Sequence, residues 1–416
     1  MKRYFVIIAL LFSYGLHAQS PYEIYSLALQ HLEQRDTAGY LQYTEQAHKI
    51  APFDLWFTFN LARAYAMNGK KTKCIEILDD LSVIGFDFKI ENDNGFAKVW
   101  NHSLVKEITA RAKKNSSVLA STMAFTIPEK DLSAEGIAYD PRRNVFYLSS
   151  FNKRKIVAVL PDGSTFDFVA DRNDSLLAPI GLRVDPARNQ LWVLNIRQSG
   201  NPNIAEKAIV QQYDLGKKQV IQIYMPEDTL QHVFIDLTVV ANGDVYITDS
   251  RGGSIYKIDA KNRTMRLWYQ SNMILPSGIT VSSDQQFLFV SHLLGINRIS
   301  LTDMREDIVS MKAKTTLTGI DGLCFYNGCL IALQNDAGPQ SRVMKFQLNG
   351  KYDTVTKAAI LESDHPYHNV PATGVLVGGD FYYIANSQQQ SLRPDGKMSA
   401  GDVHNPTYIL KLPLTN

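Results

Sequence analysis

At 416 residues, with 45% hydrophobic positions and 43 basic against 41 acidic side chains, the chain exceeds one average domain and carries a formal charge of only +2. No basic run is longer than Arg111-Ala112-Lys113-Lys114. That balance excludes nucleic acid as a partner, because phosphate binding needs a concentrated positive face.

Residues 1–18 open on Lys2 and Arg3, run through an apolar stretch from Tyr4 to Tyr14 and end in Leu16-His17-Ala18. They read as a secretory signal peptide cleaved after Ala18, so the expectation is an exported protein, periplasmic or secreted, with no membrane span in the mature chain. An uncleaved anchor is the alternative. No cysteine near the cleavage point could take a bacterial lipid anchor.

Residues 20–118 read as helix. Leu27-Ala28 and His31 recur as Leu61-Ala62 and Tyr65 at a spacing of 34, with Ala47 and Pro52 at a small packing position and a terminal position, and Gly69 in a turn. This pattern resembles tetratricopeptide repeats, with up to two units visible. So few units offer no long groove, and the domain is expected to act as an intramolecular brace, a homodimer face or a site for a protein partner. Residues 113–117 read as the linker.

From residue 121 the period changes. Six opening strands are predicted at 134–139, 179–184, 235–240, 276–281, 320–325 and 372–377, each followed after a tight turn by a second strand at 144–148, 190–194, 244–248, 287–291, 329–333 and 381–385. Third strands follow at 155–159, 210–213, 254–258, 295–299, 342–346 and 408–412, and fourth strands are visible at 166–169 and 265–269. Six such units without helix describe an all-β six-bladed β-propeller over 121–416, preceded by a small all-α domain. Residues 122–127 are placed to supply the last blade's missing strand and close the ring. The turn Asn327-Gly328 is expected to pair Cys324 with Ile331 and Tyr326 with Cys329, leaving the two sulfurs too far apart to join. All three cysteines, Cys74 included, read as reduced packing residues.

At one comparable point the six opening strands carry Glu135, Ile180, Asp236, Ser277, Asp321 and Thr373, and five have glycine next. On a propeller these positions converge at a channel mouth. Glu135, Asp236 and Asp321 repel one another there, and a cation resolves the repulsion; oxygen ligands without a His/Cys cluster favour Ca2+ over zinc, with Mg2+ or Mn2+ as alternatives. A ring of polar solvating groups is the plainer reading. The second strands end in another ring, Ser150, Asn195, Asp249, His292, Gln334 and Asn386. His292 is its titratable member and a candidate general base, or else a hydrogen-bonding support. Arg197, Arg251 and Asn152 follow and could hold an acidic or polyhydroxyl substrate.

These residues resemble the SMP-30/gluconolactonase/LRE-like family of six-bladed propellers, over residues 121–414. Glu135 in Ala-Glu-Gly and Asp321 in Ile-Asp-Gly-Leu match that family's metal-ligand motifs, and Asp236 falls at its Asn/Asp position. Pro276-Ser277-Gly278 matches its Pro-Asn-Gly motif with Ser in place of the ligating Asn. The resemblance implies a metal-dependent hydrolase of a lactone or related ester, with a small-molecule substrate, metal ligands Glu135, Asp236, Ser277 and Asp321, and water activated by Asp321 or His292. Asn195, Asp249, Asn386, Arg197 and Arg251 would support the site or contact substrate. The alternative is a non-catalytic extracytoplasmic binding protein with a structural ion.

Overall fold

The computed structural model describes residues 20–170, 176–196, 208–335, 337–393, 398–399 and 401–414. The expected signal peptide lies outside them. The chain divides into two compact units, one running to Ser117 and taking in Ala337–Gln340, the other from Val118 onward.

The first unit holds five α-helices, α1 (Pro21–Glu33), α2 (Thr37–Ile50), α3 (Leu55–Met67), α4 (Lys71–Ile84) and α5 (Ser103–Asn115). Their starts are set by capping side chains. Ser20 and Glu23 form a reciprocal capping box on α1, while Asp36 and Asp54 accept backbone N–H groups at α2 and α3. The pair α3–α4 opens 34 residues after α1–α2, the spacing of the sequence repeat. The helices share one core that includes Ala28, Tyr40, Leu61, Ala62, Phe86 and Phe96. No helix among the described residues is long and apolar enough to cross a membrane.

The second unit is a six-bladed β-propeller. Blade one is Ala134–Asp140, Val145–Ser150, Lys155–Val159 and Thr165–Val169; blade two Ala178–Asp185, Gln190–Ile196, Ala208–Asp214 and Gln219–Tyr224; blade three Phe234–Val239, Val245–Asp249, Ser254–Asp259 and Thr264–Gln270. Blade four is Ile279–Val281, Phe287–His292, Gly295–Ser300 and Glu306–Ile308. Blade five is Ile320–Tyr326, Cys329–Gln334, Arg342–Leu348 and Thr354–Ser363, with the short Ser310–Met311 added in parallel. Blade six is Gly374–Val377, Asp380–Ile384 and Thr407–Pro413, completed by Thr122–Ile127 as its outermost strand. That strand closes the ring as expected, and the innermost strand of blade six packs against that of blade one.

An apolar cluster fills each of the six blade interfaces. Tyr147 and Leu182, for example, share the cluster of blades one and two, and Leu194 and Phe234 that of blades two and three. Alternating inward residues make this arrangement, since successive side chains of a strand leave on opposite faces and each face meets another blade. The turn at Asn327-Gly328 takes positive φ at both residues and sets the expected register, Cys324 opposite Ile331 and Tyr326 opposite Cys329. All three cysteines are free.

Candidate functional site at the inner strand starts

The six opening positions lie where the innermost strands begin, and there the ladder breaks. Register shifts occur between Ala134 and Ile137, Pro179 and Leu182, Phe234 and Leu237, and Ile320 and Gly322, so Glu135, Ile180, Asp236 and Asp321 all sit on β-bulges. Bulges re-aim side chains next to sites. The following glycines are required by close approach: a Cβ on Gly136 would lie 2.1 Å from the Ile180 carbonyl oxygen, and one on Gly278 2.7 Å from that of Asp321.

Hydroxyls on the second strands satisfy the broken ladders and link neighbouring blades. Ser149 Oγ accepts from Gly136 N–H (2.7 Å) and donates to the Ile180 carbonyl of blade two (2.7 Å). Thr248 Oγ1 does the same between Asp236 N–H (3.1 Å) and the Ser277 carbonyl (2.8 Å). Ser291 donates to the Ile320 carbonyl of blade five (3.1 Å). Sequence reasoning missed this trio; the signal is a hydroxyl residue directly before the second-ring position.

The expected carboxylate trio divides. Asp236 is buried and paired with Arg183 of blade two, whose Nη2 lies 3.1 Å from each carboxylate oxygen. Its Oδ1 also accepts from Leu237 N–H (2.8 Å), and its Oδ2 from Ile279 N–H (3.2 Å). Burial raises the Asp236 pKa against the pull of Arg183 and these N–H donors. The Cys324 thiol, within the field of both charges, is pushed up to about 11 by burial and is an unreactive thiol at neutral pH. Asp236, expected as a metal ligand, here has a guanidinium as its counter-charge. Arg183 is the one charge in the run Ile180-Gly181-Leu182-Arg183-Val184, and no chain spacing pairs it with Asp236.

Glu135 and Asp321 remain as a pair. Burial pushes the Glu135 carboxyl up to about 8, and the Asp321 charge adds to the shift while a Gln389 hydrogen bond opposes it. Gln389 Nε2 donates to Glu135 Oε2, and Asn335 Nδ2 donates to Asp321 Oδ2 and to the Pro371 carbonyl (2.9 Å). Among the described residues, three buried oxygens here have no hydrogen-bond partner: Glu135 Oε1, Asn335 Oδ1 and Thr373 Oγ1. Ser277 Oγ donates to the Asp321 carbonyl oxygen at 3.5 Å.

Among the described residues no three His, Cys, Asp or Glu side chains gather into a metal cluster. The donors around Asp321 are instead two carboxylates supplemented by neutral oxygens. Unpartnered buried oxygens of that kind fit a hard, oxygen-liganded cation such as Ca2+, and the mixture does not fit zinc.

The side chains of the second ring are engaged in hydrogen bonds, although Asn195 Oδ1 is buried without a partner among the described residues. His292 is buried, its Nε2 bonded to Asn297 Oδ1 (2.9 Å) and its Nδ1 accepting from Leu294 N–H (3.3 Å), and burial lowers its pKa. Both nitrogens of this expected general base are engaged within its own hairpin. Asp249 is fully buried against His232 Nδ1 (2.7 Å) and Val233 N–H (3.0 Å). Asn195 donates to Gln211 (3.0 Å), Gln334 to the Thr316 and Thr318 carbonyls (3.1 and 2.7 Å), and Asn386 to the Pro406 carbonyl (2.7 Å). Ser150 Oγ is bonded to the Leu132 carbonyl. Gln334, Asn386 and Ser150 thus hold flanking loop carbonyls, while Asn195 bonds across to the neighbouring strand. Asn152 likewise donates to the Asp131 carbonyl (2.8 Å), and Arg251 N–H reaches Asp249 Oδ1 at 3.3 Å. Arg197 lies outside the described residues.

No family model matches the chain, and no curated protein matches it. Solved structures share its fold. A gluconolactonase from Xanthomonas campestris is 14% identical, over 72% of this chain and 96% of that one, with a TM-score of 0.50. A calcium-binding protein, regucalcin, from Agrobacterium tumefaciens is 13% identical, over 70% and 94%, also with a TM-score of 0.50. At these identities the likeness establishes the propeller and assigns no residue a role.

Proposed function

We propose that the protein is a hydrolase of a lactone or related small ester, with its reaction centre at Glu135 and Asp321. The observation that carries this reading is the unpartnered Glu135 Oε1, buried at the inner strand starts within the field of the Asp321 carboxylate. Two carboxyls whose environments differ divide acid and base roles between them. Asp321 takes a proton from water as that water adds to the acyl carbon. Glu135, held protonated near neutrality by burial, gives a hydrogen bond to the carbonyl oxygen where negative charge develops. The proton on Asp321 then passes to the alkoxide released when the ester C–O bond breaks. When bound, Ca2+ held by the ionised Glu135 together with Asp321, Asn335 and Thr373 would take the place of the Glu135 proton and polarise the carbonyl as a Lewis acid.

The likeness to a gluconolactonase and to a calcium-binding propeller agrees with this reading without deciding it. The test is a panel of lactones and aryl esters, with calcium and with chelator. Hydrolysis is expected, with a fall of roughly 10²–10⁴-fold in Asp321→Asn. An inert calcium-loaded wild type, or full activity in Asp321→Asn, overturns it. The Arg183–Asp236 pair favours a second reading, a non-catalytic binding protein with a structural ion, because it withdraws one ring carboxylate from chemistry. Binding without hydrolysis would select it.

Residues 1–18 support export to the periplasm or beyond. The two 34-residue helix pairs support a tetratricopeptide-like unit that meets a protein partner or a second copy. Cleavage at Ala18 and solution mass measurements test these two points.

A further inference from the structure

The ring carboxylates are held in two different ways. Asp236 faces a guanidinium and is neutralised by it. Glu135 and Asp321 each receive a side-chain amide: Gln389 Nε2 on Glu135 Oε2, and Asn335 Nδ2 on Asp321 Oδ2. An amide N–H fixes one carboxylate oxygen and leaves the net charge in place. It also decides which way the second oxygen points, and in Glu135 that oxygen, Oε1, is buried and unpartnered.

Both amides come from braced backbone. Asn335 directly follows the second strand of blade five; its N–H donates to the Gly319 carbonyl (3.1 Å) and its Nδ2 also to that of Pro371 (2.9 Å). Gln389 opens the short turn Gln389–Ser391, entered through Gln388 in the left-handed region at φ 58°. Gln388 is tied on both sides of its own amide, Nε2 to the Asn405 carbonyl (3.0 Å) and Oε1 from Asn405 N–H (2.8 Å). A residue that is itself fixed can orient a ligand; a mobile one cannot.

We propose that Asn335 and Gln389 are positioning residues, which aim the Asp321 and Glu135 carboxyls at a common point and so prepare that pair for a hard cation. Asn335 Oδ1, buried without a partner among the described residues, adds a neutral donor beside the two carboxyls. This rests on the reading of Glu135 and Asp321 as the reaction centre.

The test uses the full mature chain and the substitutions Gln389→Met and Asn335→Leu, which keep the side-chain size and remove the donor. Gln389→Ala is a further variant, since Gln389 is half-buried on a turn and its truncation leaves the core intact. Calcium affinity is measured by titration calorimetry, kcat and KM separately on a lactone, and folding by thermal melting. Calcium affinity is expected to fall about 10–100-fold, the usual loss when a ligand's supporting hydrogen bond is removed, with kcat falling more than KM changes. Wild-type affinity in a folded Gln389→Met or Gln389→Ala protein overturns the proposal, as does a wild type that binds no calcium. A wild type that binds calcium and hydrolyses nothing overturns the hydrolase alone, and the affinity comparison still decides the role of the two amides.

Discussion

Arg183 and Asp236 form a buried ion pair between blades two and three, one guanidinium nitrogen lying 3.1 Å from both carboxylate oxygens. Their side chains are 17% and 7% exposed, so either partner alone would be a charge without adequate solvent. Arg183→Met is therefore expected to destabilise the propeller by about 3–5 kcal/mol, because it strands Asp236. Adding Asp236→Asn should recover most of that loss, since the amide still offers an acceptor to Leu237 N–H without a charge to bury. Urea unfolding of the two single variants and the double variant measures the coupling. A double variant no more stable than Arg183→Met would show that the pair is not the source of the loss.

The hydroxyls between blades allow a smaller and more local prediction. Thr248 is fully buried and serves both Asp236 N–H and the Ser277 carbonyl. Thr248→Val leaves both backbone groups without a partner and should cost about 1–3 kcal/mol, while Thr248→Ser should cost much less. If both variants unfold at the wild-type denaturant midpoint, the inter-blade link carries no stability.

His232 gives a pH dependence with a defined sign. Burial depresses its pKa, but the hydrogen bonds and charges of Asp249 (2.7 Å) and Asp228 (2.8 Å) outweigh burial and leave it raised. Tyr256 also touches this group, its hydroxyl donating to Asp228 at 2.8 Å. A raised folded pKa means that the protonated imidazole stabilises the fold. That contribution is full below the ordinary histidine value of 6.5 and is lost as pH rises through the raised one. Unfolding free energies at pH 6 and pH 9 should therefore differ more in the wild type than in His232→Gln. Equal differences would place the titration elsewhere.

The propeller was legible because its signal is repeated: six alternations of strand and turn, each with the same register, reinforce one another. The ring positions follow the same repeat, and four of them, Glu135, Ile180, Asp236 and Asp321, share a bulge at the strand start. What the pattern could not supply was the partner of each ring residue. Arg183 belongs to the same strand as Ile180 but serves Asp236 on the next blade, a contact set by blade packing and independent of chain spacing. His292 and Asp249 occupy the positions foreseen for them, yet their polar atoms turn into local hairpins and loops, because a strand-end residue is free to face either way. Gln389 was hidden inside a run of three glutamines, each of which takes a different partner: Gln388 bonds Asn405, Gln389 bonds Glu135 and Gln390 bonds Asn369.

The Glu135 carboxyl links cation binding to pH. Burial is the main cause of its rise from 4.5 to about 8, aided by Asp321 and opposed by Gln389. Since the folded value lies above the unfolded one, the cation-free protein loses stability progressively from pH 4.5 up to about 8, where the buried carboxyl must give up its proton. Glu135→Gln removes that slope. Calcium must displace the same proton, so its affinity should climb with pH over this range and level off above about 8. Thermal melts with calcium and with chelator should then show a larger calcium-induced gain at pH 9 than at pH 6, and little gain at either pH in Glu135→Gln. A calcium gain equal at the two pH values, or one retained in Glu135→Gln, would place the cation away from Glu135.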